Sequence, residues 1–94
     1  MTLDEFKATV SASSPPPVSG ALQALWHDAR GEWDQAHEIA NGVDDKTGAW
    51  VHAYLHRKEG DLGNAGYWYR RAGQPMATDA LDAERDRIVV SLLT

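Results

Sequence analysis

Cysteine is absent from the 94 residues, which rules out disulfides and any metal centre built on thiolates. No apolar run lasts more than a few residues, whereas a bilayer span takes about 20 in succession. The N-terminus has no charged segment followed by an apolar one, so no signal peptide is expected and the cytoplasm is the expected location. Basic residues are scarce: 9 Lys and Arg face 14 Asp and Glu, for a net charge of −5. That field repels phosphates and argues against nucleic acid. The composition of disordered chains is missing too, since 43% of residues are hydrophobic and 24% charged, so folding without a partner is expected.

Catalytic patterns are equally sparse. No Ser/His/Asp grouping stands out, Gly60-Asp61-Leu62-Gly63 is too short to cradle phosphate, and the Asp44-Asp45 pair has no partner implied. A non-enzymatic role without a cofactor is expected.

What the chain does have is four tryptophans, rings large enough to dominate a small core or a binding face. Its length suits one domain with one core. Basic residues crowd into the second half, where Lys46, Arg57, Lys58, Arg70, Arg71, Arg85 and Arg87 follow only Lys7 and Arg30. An anionic ligand would be met there.

The apolar spacing is helical throughout. Thr2 and Glu5 have capping-box spacing ahead of Leu3, Phe6 and Val10, so residues 2–10 read as a short helix. Residues 11–19, with three consecutive prolines at 15–17, read as a strap. Pro15 to Pro17 lacks a basic anchor nearby, which favours a linker over a recognition ligand. Leu22, Leu25, Trp26 and Ala29 form one stripe ended by Gly31, and Trp33, Ala36, Ile39 and Ala40 form a second ended by Gly42. Residues 20–42 are therefore one helical hairpin. Trp50, Val51, Tyr54 and Leu55 form a stripe before Gly60, and Leu62, Ala65, Trp68, Tyr69 and Ala72 form one after it, making residues 47–73 a second hairpin. Thr78 is a good N-cap for a last helix over 78–93, expected to cover the end of the second hairpin. The expected fold is all-α: two tandem antiparallel helical hairpins between a short N-terminal helix and a C-terminal capping helix.

Shifting the chain by 29 residues aligns Ala24 with Ala53, His27 with His56, Gly31 with Gly60, Glu32 with Asp61 and Ala36 with Ala65. Fixed-offset similarity marks stacked helical hairpins. Gly31-Glu32-Trp33-Asp34-Gln35-Ala36 and Gly60-Asp61-Leu62-Gly63-Asn64-Ala65 resemble the turn and second-helix start of tetratricopeptide repeats. Ala65 to Ala72, with Trp68-Tyr69 and Arg71, is similar to the ending of SEL-like repeats. The resemblance covers residues 20–75, with an offset shorter than the roughly 34 residues of a tetratricopeptide repeat. It implies a right-handed hairpin stack that recognises a protein or peptide on a concave surface.

Three constellations are candidate sites. His52 and His56 share one side of a helix with Glu59, and as metal ligands they would need a third from His27 or His37. As plain polar edges of a helical core they need none. Arg57, Lys58, Arg70 and Arg71 come from both helices of the second hairpin and would converge on a carboxylate or phosphate with Tyr67 nearby; as a solvated face, their stems would cover apolar surface. Trp26, Trp33, Trp50 and Trp68 fit a core, with Trp50 the one expected to be partly exposed.

The leading expectation is an interaction module that takes a protein or peptide, with an acidic segment, through His52, His56, Arg57, Tyr67, Arg70, Arg71 and Trp50. The alternative is a small-ligand or metal pocket between the hairpins, lined by His27, His52, His56, Trp50, Tyr69 and Arg70. Self-association into a homodimer through the apolar Ile88 to Leu93 segment is a third.

Overall fold

A computed structural model describes residues 1–93. Among them every regular element is helical: α1 Leu3–Ala8, running into a 3-10 turn at Thr9–Ser11, α2 Gly20–Ala29, α3 Trp33–Asn41, α4 Lys46–Lys58, α5 Leu62–Ala72 and α6 Leu81–Leu93. The capping box at the start of α1 forms as expected: Thr2 Oγ1 accepts from Glu5 N–H at 3.1 Å and Glu5 Oε1 from Thr2 N–H at 2.8 Å.

Helices α2 and α3 pack as one pair and α4 and α5 as another. Their turns are built alike. Gly31 (φ 80°) and Gly60 (φ 86°) occupy the left-handed region, which glycine enters without Cβ strain. Gly31 N–H reaches Asp28 C=O and Glu32 N–H reaches His27 C=O; 29 residues on, Gly60 N–H reaches Arg57 C=O and Asp61 N–H reaches His56 C=O. This pair of bonds closes a helix in a Schellman motif and satisfies carbonyls the helix leaves open.

Helix α4 touches α2, α3, α5 and α6, and every residue from Val51 to His56 is buried. Around it the core joins Phe6, Leu22, Leu25, Trp26, Tyr54, Leu55, Ile88 and Val89. Of the four tryptophans only Trp26 is fully buried, at 1% exposure, its indole N–H donating to Thr9 C=O at 3.0 Å. The prolines sit in a strap held down by Arg30, whose Nη1 donates to Val10 C=O at 2.7 Å and Ala12 C=O at 2.6 Å.

The last helix differs from expectation in start and placement. It begins at Leu81, not Thr78, because Asp79 is drawn into other bonds: its carboxylate pairs with Arg87 and its carbonyl accepts from Arg57. It packs along α4, α2 and α1 rather than over the end of the second pair. Ile88 and Val89 carry it into the core with Phe6, Leu22 and Leu25, while a buried acid ties its first turn to the second pair. Glu84, 0% exposed, accepts from Arg57 Nη1 at 2.8 Å, from the Tyr69 hydroxyl at 2.6 and 2.8 Å and from Trp50 Nε1 at 3.3 Å. A second buried acid, Asp28, accepts from the Tyr54 hydroxyl at 2.6 Å and Lys58 Nζ at 2.8 Å. Ile88 and Val89 are spent on the core, leaving Val90 as the most exposed apolar residue of the C-terminal segment.

Candidate functional site

Positions 52 and 56 lie one helical turn apart, so their side chains leave α4 on the same side. That side faces α3, from which His37 reaches across: His37 Nε2 and His52 Nε2 are 2.9 Å apart, one ring donating to the other. His52 and His56 stack at 5.0 Å between centroids with planes 11° apart, and His37 stands edge-on to both at 4.6 and 5.2 Å. One ligand atom from each of the three rings lies within 4.8 Å of the others.

Tryptophans close the cluster on two sides. Trp33 stacks on His37 at 4.9 Å and donates its indole N–H to Leu55 C=O at 2.9 Å. Trp68 of α5 stacks on His52 at 4.0 Å, and the Arg71 guanidinium sits 5.1 Å from the Trp68 ring. Planar groups thus run in a column from Arg71 through Trp68 and His52 to His56. At the His56 end, Nδ1 lies 2.7 Å from Glu59 Oε1. Burial first, then the neighbouring His37 and His56, pushes the pKa of His52 down to about 4. At neutral pH this ring is uncharged, with a lone pair to offer.

Beside the column lies a cleft of about 430 Å³ between the α3–α4 loop and α5. His52 and Trp68 form its inner wall, with Lys46, Arg71, Asp44 and Asp45 around the opening. Arg71 Nη1 also meets the Tyr67 hydroxyl at 3.3 Å, on the exposed side of α5.

The residues expected in one site therefore fall in three places. His52, His56 and Arg71 belong to the column and cleft, with Tyr67 and Arg70 on the adjacent surface. Trp50, Arg57 and Tyr69 belong to the far network around Glu84. Arg57 and Lys58 do converge on carboxylates, but on the chain's own Glu84 and Asp28. Among the described residues His27, Trp50 and Tyr69 do not line the cleft: His27 Nδ1 is 2.8 Å from Glu32 Oε1 in the first turn, Trp50 and Tyr69 bond Glu84, and of the residues expected to line one pocket His52 is the one that faces the cleft.

Residues outside the expected set also matter. Trp68, read as core, is half-buried and walls the cleft, and Lys46 stands on its rim. Glu84 carries one signal in the sequence, since it shares a stripe with Leu81 and Ile88, where a lone acid implies a buried partner. Compared with protein-family models, curated proteins and solved structures, the chain matches none.

Proposed function

We propose that the protein is a binding module whose cleft takes an acidic segment of a protein or peptide. The observation that carries this reading is the pairing of its cations. Lys7, Arg30, Arg57, Lys58, Arg85 and Arg87 all have acidic partners within the chain. Lys46, Arg70 and Arg71 have none among the described residues, and Lys46 and Arg71 share the rim of one cleft with Asp44 and with Asp45, whose carboxylate is taken up in capping Gly48 N–H at 2.8 Å. Unpaired guanidinium and ammonium groups beside an indole face suit a carboxylate on a partly apolar peptide, because charge-assisted bonds strengthen where neighbouring rings exclude water.

The likeness to tetratricopeptide and SEL-like repeats supports the same reading. The two glycine turns share their hydrogen bonds at the 29-residue offset, as repeated hairpins would, and stacks of this kind present helical surfaces to peptides.

Trp68 gives the test its signal, since a peptide entering the cleft changes the surroundings of its ring. Titrating with Glu/Asp-rich peptides should produce a saturable change in tryptophan fluorescence, absent with their Gln/Asn counterparts. Charge-assisted bonds of about 1.5–3 kcal/mol mean that Arg71→Glu should weaken binding at least about tenfold while the circular dichroism stays unchanged. Equal affinity for the acidic and amide peptides, or for the wild type and Arg71→Glu, would refute the proposal.

A further inference from the structure

We propose that His37, His52 and His56 form a binding site for a divalent transition-metal ion of the zinc class, which ties α3 to α4. The site shares His52 with the cleft wall but uses none of the rim cations, so Arg71→Glu tests the peptide reading while leaving all three ligands in place.

The donor set comes first. Three imidazoles and no thiolate suit zinc, cobalt, nickel or copper, whereas calcium and magnesium require oxygen ligands. In a tetrahedral centre with bonds of about 2.0–2.1 Å, ligating nitrogens stand roughly 3.3 Å apart. His37 Nε2 and His52 Nε2 are at 2.9 Å and the third ring's ligand atom is within 4.8 Å of both. Shifts of a few tenths of an ångström to about 1.5 Å, together with a turn of the His56 ring out of its near-parallel stack on His52 (11° between planes), bring the three lone pairs onto one ion. Three protein ligands leave one position for water.

The surroundings match what metal-binding histidines need. A ligating imidazole is normally oriented through its other nitrogen by a carboxylate, which fixes the tautomer and raises basicity. Glu59 Oε1 does this to His56 Nδ1 at 2.7 Å, leaving Nε2 to coordinate. The other two rings are held by stacking, His52 between Trp68 and His56 and His37 against Trp33. Burial falls off in one direction: His52 is 3% exposed and His56 9%, while His37 is half-buried. An ion enters past His37.

Such an ion would fasten the two helix pairs together. His37 belongs to the first pair and both partners to the second, and of the contacts between the pairs this junction of α3 with α4 is the most extensive. Metal binding would stabilise the packing of one pair on the other.

The test uses tag-free, chelator-treated full-length protein with cobalt(II) as the visible probe and zinc(II) as competitor. A centre of four or five ligands gives intense visible bands that zinc abolishes at one equivalent, and calorimetry should give a 1:1 stoichiometry. His37→Ala, chosen because that ring is the least buried of the three, should lose the bands and the stoichiometric binding. Glu59→Gln should weaken binding about 10- to 100-fold, and His27→Ala should match the wild type. Titration with copper(II) should quench emission in the wild type and not in His37→Ala, because Trp33 and Trp68 stack directly on two of the ligands. No stoichiometric binding, or binding undiminished in His37→Ala, would overturn the proposal. Loss in His27→Ala as well would overturn it too, showing that the ion sits elsewhere.

Discussion

Replacing Glu84 with Gln should cost the fold about 3 kcal/mol, the lower end of the about 3–5 kcal/mol lost when one member of a buried ion pair is removed. The lower end applies because Arg57 is not wholly stranded. Its side chain is 13% exposed, its Nη1 lies 4.0 Å from the Asp79 carboxylate, and it also donates to the Asp79 carbonyl. Glutamine keeps the volume and one acceptor for Tyr69 or Trp50, so most of the loss is the missing negative charge. Glu84→Leu removes every acceptor and leaves the Tyr69 hydroxyl, the Trp50 N–H and the Arg57 guanidinium unsatisfied, at about 1–3 kcal/mol each. For a chain of this length the whole stability is about 5–14 kcal/mol, so that variant should be largely unfolded at 37 °C. Urea unfolding followed by far-ultraviolet circular dichroism at pH 7 measures both. Adding Arg57→Met completes a double-mutant cycle. If Glu84 and Arg57 are coupled by less than about 1 kcal/mol, within the range of exposed pairs, the account of α6 as anchored by this acid is wrong.

Alkali should destabilise the protein from about pH 10 upward, the ordinary tyrosine range. Burial and then the hydrogen bond to a carboxylate raise the pKa of Tyr54 and Tyr69 in the folded state. Their stabilisation is complete below the unfolded value and drains away as pH rises towards the folded one. Tyr54→Phe and Tyr69→Phe should each flatten the alkaline limb of the melting-temperature profile, and an unchanged slope would remove the assignment. Glycines 48 and 63 should behave oppositely. A Cβ at Gly48 would lie 2.0 Å from the Val43 carbonyl oxygen, a backbone atom with nowhere to go, while at Gly63 its nearest neighbour is Asp61 Oδ1 at 3.9 Å. Gly48→Ala should cost at least about 3 kcal/mol, near the top of what overpacking does, and Gly63→Ala should gain about 0.5–1 kcal/mol from helix propensity. Equal melting temperatures would contradict this. Arg30→Ala should release the strap from α2, seen as faster proteolytic cleavage within residues 11–19 at a cost of about 1–2 kcal/mol in hydrogen bonds; a wild-type cleavage rate would show that the prolines hold it unaided.

The helices are legible in the sequence because their apolar residues recur at 3.6-residue spacing and glycines stand where the chain must take positive φ. Gly31, Gly60 and Gly73 all do so. The placement of α6 is not legible, because it depends on an acid finding Arg57, Tyr69 and Trp50, residues 15 to 34 positions away. The candidate site divides the same way. His52 and His56 are paired by helix geometry alone, whereas the choice of His37 over His27 follows from α3 lying against α4 and from Glu32 already holding His27. Arg57 reads as a surface cation because the residue that neutralises it lies in another helix.

The position of α4 has a consequence for how the molecule opens. Every other helix of the two pairs, and α6 with them, rests on α4, so the amides of its buried stretch from Val51 to His56 cannot meet solvent until several neighbours have left. In native-state hydrogen exchange, α1 and the strap should exchange through small local openings. The amides from Val51 to Leu55 should exchange only through complete unfolding, so their slowest rates report the stability of the whole chain.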